Sequence, residues 1–275
     1  MTVQDALRDA ARRLESVSAT PRLDAELLMA HALGVAREVL LLAHTRAEAP
    51  AGFGPLLERR LAHEPVAYIL GRRAFWTIEL EVGPGVLVPR PDSETLIAAA
   101  IDHFGTGRPA TILDLGTGPG TLLLAALDQW PDARGLGIDR SETALAYARR
   151  NAERLGLADR ADLHLGDWGE GIDGPFDLIL CNPPYIESAA PLPAGVADWE
   201  PPEALYAGPD GLDDYRRLAP EIARLLAPGG VACVEIGAGQ EAAVTAIFGY
   251  RRFTVSSLGD LNGVIRCLIL VANRE

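Results

Sequence analysis

One tetrapeptide of this sequence combines residue types that together define a chemistry. It is Asn182-Pro183-Pro184-Tyr185, and it directly follows the apolar run 176–181, which predicts a buried parallel strand. Each proline fixes φ, lacks an N–H and pushes the preceding residue into an extended conformation. The Asn182 side-chain oxygen and nearby backbone carbonyls can therefore face one planar NH2 group, with the Tyr185 ring beside it. The pattern predicts a pocket for an amide or an exocyclic amine.

A glycine-rich turn upstream of the tetrapeptide predicts a nucleoside site. The turn follows the predicted strand 111–115 and reads Gly116-Thr117-Gly118-Pro119-Gly120. Its glycines let the backbone approach a ligand closely. The next strand ends at Asp139, where a carboxylate can accept hydrogen bonds from both ribose hydroxyls. The third strand is followed by Asp167-Trp168, which can present an acid and an indole to an adenine ring.

The spacing of the glycines favours a nucleoside without phosphates. It is G-x-G-x-G, whereas dinucleotide-binding proteins have G-x-G-x-x-G, and Pro119 stands where a pyrophosphate would need an N–H. We therefore predict S-adenosylmethionine as the ligand and S-adenosylhomocysteine as the product.

The tetrapeptide then lies at the neighbouring strand end, near the sulfonium, so Asn182 belongs to both sites. The Asn182 oxygen and the Pro183 carbonyl could hold both N–H hydrogens of an amide and aim its lone pair at the methyl group. Tyr185 could stack on the planar amide. Each motif alone could be a plain turn or strand end. Their joint occurrence makes that alternative a minor one.

The elements that must position these residues fall into three parts. Residues 1–73 show helical periodicity without strands, which predicts a helical bundle. Alternating residues over 74–88 predict a β-hairpin linker with its turn at 83–85. In residues 89–275 strands alternate with helices, which predicts an α/β domain with a parallel sheet and crossover helices. Ser93 is the candidate N-cap of the first helix of this domain.

The predicted elements follow one another closely along the chain. In the bundle, residues 37–44 and 53–63 are predicted as the third and fourth helices. The strands of the α/β domain are predicted at 111–115, 134–138, 161–165, 176–181, 230–236, 251–257 and 264–271. Its helices are predicted at 95–104, 120–129, 141–155, 212–226 and 238–248. Residues 182–211 are predicted as an irregular connection, and connections of that length are usually functional.

Charge narrows the class of substrate. The net charge is −13, and all basic residues are arginines. Residues 1–75 carry ten arginines and nine acidic residues, whereas the remainder carries 15 arginines and 29 acidic residues, a balance of −14. Such an acidic part is a poor surface for phosphate backbones, so we expect no direct contact with nucleic acid.

Composition also bears on the compartment. The three cysteines lie in apolar runs, which favours reduced thiols in the core of a cytosolic protein. The five histidines are dispersed without ligand spacing, so no metal site is expected. No signal peptide is visible, and no apolar stretch is long enough to span a membrane. We therefore expect a soluble, cytoplasmic protein.

The ensemble of motifs resembles the protein-glutamine methyltransferases that modify peptide chain release factors, the HemK/PrmC family. The resemblance covers nearly the whole chain. Besides the tetrapeptide and the glycine turn, it is carried by residues 22–28, 64–71, 88–92, 200–201, 210–212, 215–216, 228–230 and 235–237.

The resemblance implies a fold, a reaction and a partner. The fold is that of class I S-adenosylmethionine-dependent methyltransferases, which is Rossmann-like with a seven-stranded, mostly parallel sheet. The reaction is methylation of the side-chain amide of the glutamine in the Gly-Gly-Gln motif of class 1 peptide chain release factors. The helical domain is implied to help grip the release factor.

Other functions remain open at this point. A sister enzyme that methylates a glutamine of a ribosomal protein would share both sites, and the helical domain would discriminate between the two. Amino methylation of a nucleic-acid base uses the same tetrapeptide but is disfavoured by the acidic balance. A catalytically silent donor-binding module that regulates translation has no need for an intact tetrapeptide.

Overall fold

The computed structural model describes residues 1–249 and 252–273, and the chain divides into two compact units. The first unit consists of Met1–Arg72 together with Leu192–Trp199. The second consists of Arg73–Pro191 and the described residues from Glu200 onward. The chain therefore leaves the second unit once, within the long connection after the tetrapeptide, and returns to it eight residues later.

The first unit is a bundle of helices with its own apolar core. Thr2 caps the first helix, since its hydroxyl accepts a hydrogen bond from the Asp5 N–H at 3.2 Å. The second helix begins at Pro21, which suits the first helical position, and is followed by the C-cap Gly34, which is left-handed with φ 68°. The helices are α1 (Val3–Leu14), α2 (Pro21–Leu33), α3 (Arg37–Val39), α4 (Phe53–Leu61) and α5 (Val66–Leu70).

The third predicted helix, residues 37–44, is not a uniform α-helix. Its first part is α3, and its second part, Leu40–His44, has π-helical hydrogen bonding. Leu40 is buried in the core of the unit, which also contains Leu7, Leu28 and Phe53.

Among the described residues no single helix is long and apolar enough to cross a membrane. The bent pair Pro21–Leu33 and Arg37–His44 together has the length and apolar composition of a membrane span.

The β-hairpin exists, but its predicted turn is wrong. Strands β1 (Arg72–Phe75) and β2 (Ile78–Glu81) are joined at Trp76 and Thr77, not at residues 83–85. Trp76 has a φ of 52°, which is uncommon for a bulky residue. Contacts distant in sequence support this turn. The Trp76 N–H donates to Glu94 Oε1 at 2.9 Å, and the Thr77 hydroxyl donates to Asp128 Oδ2 at 2.6 Å.

The second unit is built on a seven-stranded, mostly parallel sheet, as predicted. The strand order is β5-β4-β3-β6-β7-β9-β8, and β9 is antiparallel to both of its neighbours. Helices connect consecutive strands except between β5 and β6 and between β8 and β9. The strands are β3 (Thr111–Leu115), β4 (Arg134–Asp139), β5 (Ala161–Leu165), β6 (Phe176–Cys181), β7 (Leu226–Glu235), β8 (Phe253–Gly259) and β9 (Ile265–Ala272). The helices are α6 (Glu94–Phe104), α7 (Thr121–Gln129), α8 (Glu142–Leu155), α10 (Asp213–Leu225) and α11 (Glu241–Phe248), and α9 (Ala194–Ala197) belongs to the first unit.

These bounds match most of the predicted elements to within a few residues. The strand predicted at 251–257 begins at a residue that lies outside the described part of the chain, and β8 begins at Phe253. The connection 182–211 is less irregular than predicted, because it contains α9 and the 3-10 turn Pro202–Ala204. The core of this unit packs α10 and α11 against the sheet, with Leu113, Ile179, Tyr215 and Val234 fully buried.

The register of the parallel strands sets what meets at the edge of the sheet. Leu115 pairs with Ile138 on one side and with Cys181 on the other, and Cys181 pairs with Val234. The residues that follow each of these therefore lie at one level along the carboxyl edge. The strand order also reverses direction between β3 and β6, which is where open α/β sheets bind ligands.

Candidate functional site

A cleft of about 1040 Å³, counted to its open mouth, lies along the carboxyl ends of β3, β4 and β6. Most of the residues predicted for the two sites line it. These are Gly116, Thr117, Gly118, Pro119, Asp139, Asp167, Trp168, Asn182 and Pro184. Three predicted residues do not line it, namely Gly120, Pro183 and Tyr185.

The glycine turn begins with a residue that must lack a side chain. Gly116 has a φ of 75°, and a Cβ there would come within 3.0 Å of the Trp168 ring. Gly120 has a different reason for being glycine, because a Cβ there would meet the side chain of Leu124. Gly120 therefore lets α7 pack closely on the turn, whereas Gly116 keeps the floor of the cleft open beside the indole.

Asp139, at the end of β4, organises the turn as well as facing the cleft. Its Oδ2 accepts from the Gly118 N–H at 2.8 Å, and its Oδ1 accepts from the Ser141 N–H at 2.8 Å. Burial raises the pKa of Asp139, and these backbone hydrogen bonds oppose that rise. Each carboxylate oxygen keeps a further acceptor direction, which fits the pair of ribose hydroxyls predicted for it.

Asp167 and Trp168 lie on the same side of the cleft but differ in their surroundings. Asp167 is exposed, and its Oδ2 accepts from Arg217 at 2.6 Å. Trp168 has a φ of 49°, and its ring packs against Gly116. The indole is therefore fixed at the wall of the cleft, while the Asp167 carboxylate is shared with an arginine.

Asp114 lines the cleft and was not among the predicted site residues. Its Oδ2 accepts from the Thr117 hydroxyl at 2.7 Å and from the Leu123 N–H at 3.0 Å. Its Oδ1 is buried without a hydrogen-bond partner among the described residues. Burial raises the pKa of Asp114 to about 7, although the Thr117 and Leu123 bonds oppose this.

An unpartnered buried oxygen is uncommon and fits a ligand that brings a donor. Together with the open floor at Gly116, it shows that the residues present can hold a small molecule with N–H or O–H groups. The sequence feature that could have identified Asp114 is its position, because it is an acidic residue one place before the end of a strand that leads into a glycine turn.

Asn182 is held by a residue that sequence reasoning assigned elsewhere. Its Nδ2 donates to the Ser93 hydroxyl at 3.1 Å, and Ser93 in turn donates to Glu235 Oε2. The prediction that Ser93 caps α6 is wrong, because its side chain makes no capping hydrogen bond. The Ser93 hydroxyl instead donates to the buried carboxylate of Glu235 at the edge of the sheet. A hydrogen bond to a carboxylate is stronger than one between neutral groups.

The Asn182 oxygen is left for another donor. Since the amide nitrogen faces Ser93, Oδ1 is the atom that can accept from a ligand in the cleft. No hydrogen bond to Oδ1 occurs among the described residues. This is the arrangement that the predicted grip on a planar NH2 group requires.

Tyr185, the last residue of the tetrapeptide, is partly buried and does not line the cleft. Its hydroxyl donates to Glu235 Oε1 at 3.4 Å, and its backbone carbonyl accepts from Gln240 Nε2 at 2.9 Å. Burial and the neighbouring Glu235 raise the pKa of Tyr185, so the phenol stays protonated. These contacts hold the tetrapeptide in place, and the predicted stacking of the ring on a ligand stays a prediction.

Arg90 fixes a loop, as its sequence context indicated. It forms an ion pair with the buried Glu200, at 2.5 Å between NH2 and Oε1. The other carboxylate oxygen of Glu200 accepts from the Val88 N–H at 3.0 Å. The ion pair joins two segments, namely the loop before α6 and the part of the long connection where the chain returns to the second unit. Arg90 also lines the cleft.

Both parts of the chain match known families. Residues 5–71 match the family described as PrmC N-terminal domain, and residues 108–246 match the family described as methyltransferase domain.

Relatives and a solved structure extend the likeness to nearly the whole chain. A release factor glutamine methyltransferase of Rhodospirillum rubrum is 46% identical over 90% of this chain and 78% of its own length. One from Caulobacter vibrioides is 45% identical over 92% of this chain and 90% of its own length. The Thermus thermophilus 16S rRNA methyltransferase in complex with AdoMet and guanosine has a TM-score of 0.52 and 21% identity, and the match covers 74% of this chain and 50% of that one. At that identity the structure shows a shared fold.

Proposed function

The chain belongs to the release factor glutamine methyltransferase family, and on that premise we propose that it methylates the glutamine amide of the Gly-Gly-Gln motif in class 1 release factors. The observation that carries the proposal is the Asn182 amide, which is held through its nitrogen and offers its oxygen to the cleft. An enzyme that must grip an NH2 group needs an acceptor at this point.

The donor is S-adenosylmethionine, which supplies a methyl group on a sulfonium and leaves as S-adenosylhomocysteine. The features that support this donor are the turn at Gly116 and Gly118, the acceptor pair on Asp139 and the indole of Trp168. Asp114 lines the cleft and adds a buried acceptor without a partner in the described part of the chain. No phosphate is needed, since Pro119 has no N–H to give one.

In the proposed reaction the Asn182 oxygen accepts from one N–H group of the glutamine. Although Pro183 does not line the cleft in this structure, its carbonyl is proposed to accept from the other. An amide nitrogen is a poor nucleophile because its lone pair is delocalised into the carbonyl. Holding both hydrogens favours a pyramidal nitrogen whose lone pair points at the methyl carbon. The new N–C bond forms as the S–C bond breaks, and one amide proton then leaves to water. No general base has to act before transfer.

The three parts predicted from the sequence have separate roles in this proposal. Residues 1–73 recognise the release factor, residues 74–88 link the helical part to the α/β part, and residues 89–275 bind the donor and carry out transfer. The cytoplasmic location expected from the sequence is part of the same proposal. The acidic balance of the second part of the chain supports a protein acceptor over a nucleic acid.

One experiment tests the proposal directly. The chain is incubated with S-adenosylmethionine labelled at the methyl group and with a purified class 1 release factor, either unchanged or with the motif glutamine replaced. We expect label only in the unchanged factor. Asn182→Ala should abolish transfer while the dissociation constant of the donor stays within a factor of about two.

The control variant is Asn262→Ala, which removes an exposed asparagine that does not line the cleft. It should label the factor at the normal rate. Equal labelling of both factors would exclude the motif glutamine as the acceptor. Full turnover by Asn182→Ala would exclude the amide grip. Label in a ribosomal protein or in nucleic acid instead would favour the alternatives.

A further inference from the structure

We propose that Ser93 and Glu235 are positioning residues that fix the orientation of the Asn182 amide, so that its oxygen and not its NH2 group faces the substrate glutamine. This rests on the proposed function, because the orientation matters for gripping an amide. Neither residue is close to Asn182 in the sequence. Ser93 lies 89 residues before Asn182, and its hydrogen bond to Glu235 joins residues that are 142 positions apart.

An asparagine amide has an ambiguity that its partners must resolve. Rotation by about 180° at the end of the side chain exchanges oxygen and nitrogen with almost no change in shape. If the nitrogen faced the cleft, the Asn182 NH2 group would point at the NH2 group of the substrate glutamine. Both groups are hydrogen-bond donors, so no hydrogen bond could form between them. A partner that can only accept removes this ambiguity.

A serine hydroxyl is not such a partner by itself, because it can donate or accept. The ionised carboxylate of Glu235 can only accept. Ser93 therefore donates its one hydrogen to Glu235 Oε2, and only oxygen lone pairs remain for Asn182. The amide must then turn its Nδ2 toward Ser93, where the distance is 3.1 Å. Both Ser93 and Glu235 are buried, so water does not compete for these hydrogen bonds.

The sheet register explains why Glu235 is available for this role. Cys181 pairs with Val234, so the next residues, Asn182 and Glu235, leave neighbouring parallel strands at one level. The 3-10 turn Pro91–Ser93 then brings the serine hydroxyl between them. The same carboxylate accepts from the Tyr185 hydroxyl at 3.4 Å, so the first and last residues of the tetrapeptide are tied to one acceptor.

The surroundings of Glu235 make its charge sensitive to pH. Burial, with Asp92 nearby, raises the pKa of Glu235 to about 7, while hydrogen bonds from Ser93 and Tyr185 and the charge of Arg266 oppose the rise. Arg266 itself pairs with Asp92 at 3.0 Å. The remaining titratable neighbours are uncharged at neutral pH, because burial raises the pKa of each; they are Tyr215, Cys181 and Cys267.

The consequence is a pH-dependent polarity of the chain of hydrogen bonds. Once Glu235 takes up a proton it can donate to Ser93, and the serine can then donate to Asn182. The amide orientation is no longer enforced. At saturating donor and release factor, kcat should therefore rise with pH through about 7 as Glu235 ionises.

The test compares Ser93→Ala, Ser93→Thr and Glu235→Gln in the full chain. Ser93→Ala removes both hydrogen bonds of the serine hydroxyl. Loss of the one that orients Asn182 predicts a fall in kcat of roughly tenfold, and the threonine hydroxyl should restore it. Glu235→Gln should lower kcat by a similar factor and remove its rise near pH 7. Donor affinity should change little in the serine variants, whereas the melting temperature of Ser93→Ala should fall by a few degrees because buried Glu235 loses a hydrogen bond. The matched control is Ser257→Ala, which removes a partly exposed serine that donates to Glu241 at 2.5 Å and should leave kcat and its pH profile unchanged.

Two results would overturn the inference. One is a kcat of Ser93→Ala within about twofold of wild type, which is smaller than a single hydrogen bond predicts. The other is an unchanged pH profile in Glu235→Gln, which would assign the titration to another group such as Asp114.

If the wild-type chain labels no release factor, the proposed function fails but the inference is still decided by nuclear magnetic resonance. The Asn182 side-chain NH2 signal, identified by its loss in Asn182→Ala, should titrate near pH 7 in wild type and not in Glu235→Gln. A signal that does not titrate in wild type would overturn the inference.

Discussion

Asp139 shows how one side chain can serve both the fold of a turn and a ligand. Its two oxygens accept from the Gly118 and Ser141 N–H groups, and its remaining acceptor directions face the cleft. We expect Asp139→Ala to weaken S-adenosylmethionine binding by at least roughly tenfold, since several hydrogen bonds are lost together. Isothermal titration calorimetry of the two chains measures this.

The same variant should leave the chemical step nearly intact, because Asp139 does not contact the transferred methyl in the proposed reaction. At saturating donor, kcat should stay within a few-fold of wild type. Asp132→Ala removes an exposed acid paired with Arg108 and is the control, with unchanged affinity expected. Unchanged donor affinity in Asp139→Ala would rule out the ribose role.

Residue types at strand ends were enough to predict which side chains lie at the edge of the sheet but not the residues that support them. Asn182 and Asp139 follow apolar runs directly, so their position at the sheet edge could be predicted from local sequence alone. Ser93 was predicted as a helix cap because capping is the usual role of a serine before a helix. Its true partner, Glu235, is 142 residues away, and no local rule connects the two.

At the scale of elements, the loop between β3 and α7 provides a sharp test of close packing. Gly116→Ala places a Cβ 3.0 Å from the Trp168 ring at a φ of 75°. We expect a loss of stability of about 1–2 kcal/mol from the left-handed backbone. Donor affinity should also fall, because the indole must move from the wall of the cleft. Thermal unfolding and calorimetric titration separate the two effects.

Gly156→Ala is the matched variant for this prediction. Gly156 ends α8 with a φ of 71°, and a Cβ there would meet nothing within 4 Å. It should show the backbone cost without a change in donor affinity. If both variants lost donor affinity equally, the contact between Gly116 and Trp168 would not be the reason.

The bounds of helices and strands could be predicted well where the hydrophobic periodicity agrees with the positions of turn and capping residues. β3, β5 and β6 begin and end at the predicted residues. The hairpin turn could not be predicted, because Trp76 adopts a positive φ that local preference disfavours. Hydrogen bonds from the turn to Glu94 and Asp128 stabilise it, and these depend on the folded unit. The strand order likewise arises from long-range pairing.

For the whole molecule, the sequence could separate a helical part from an α/β part by their different periodicities. It could not predict that Leu192–Trp199 groups with the helices, because this segment lies inside an irregular, proline-rich connection. The segment comes shortly after the tetrapeptide and ends directly before Glu200, which is paired with Arg90. Grouping of such segments depends on tertiary contacts that no periodicity encodes.

Global stability should depend on pH through Glu235. Its pKa is raised by burial from 4.5 to about 7, so the folded chain binds more protons than the unfolded chain between these values. The free energy of unfolding therefore falls as pH rises from about 5 to about 8, and this group contributes about 2–3 kcal/mol of the fall. Glu235→Gln cannot titrate and should lose less stability over the same range.

Urea unfolding of both chains at the two pH values measures this difference. Comparing each chain with itself cancels any constant cost of replacing the carboxylate, and Asp114, whose pKa is also raised to about 7, is present in both chains. Glu153→Gln, at an exposed position on α8, should follow the wild-type pH dependence. Equal losses in wild type and Glu235→Gln would mean that Glu235 titrates at its ordinary pKa, and the pH-dependent orientation of Asn182 would then have no source in this group.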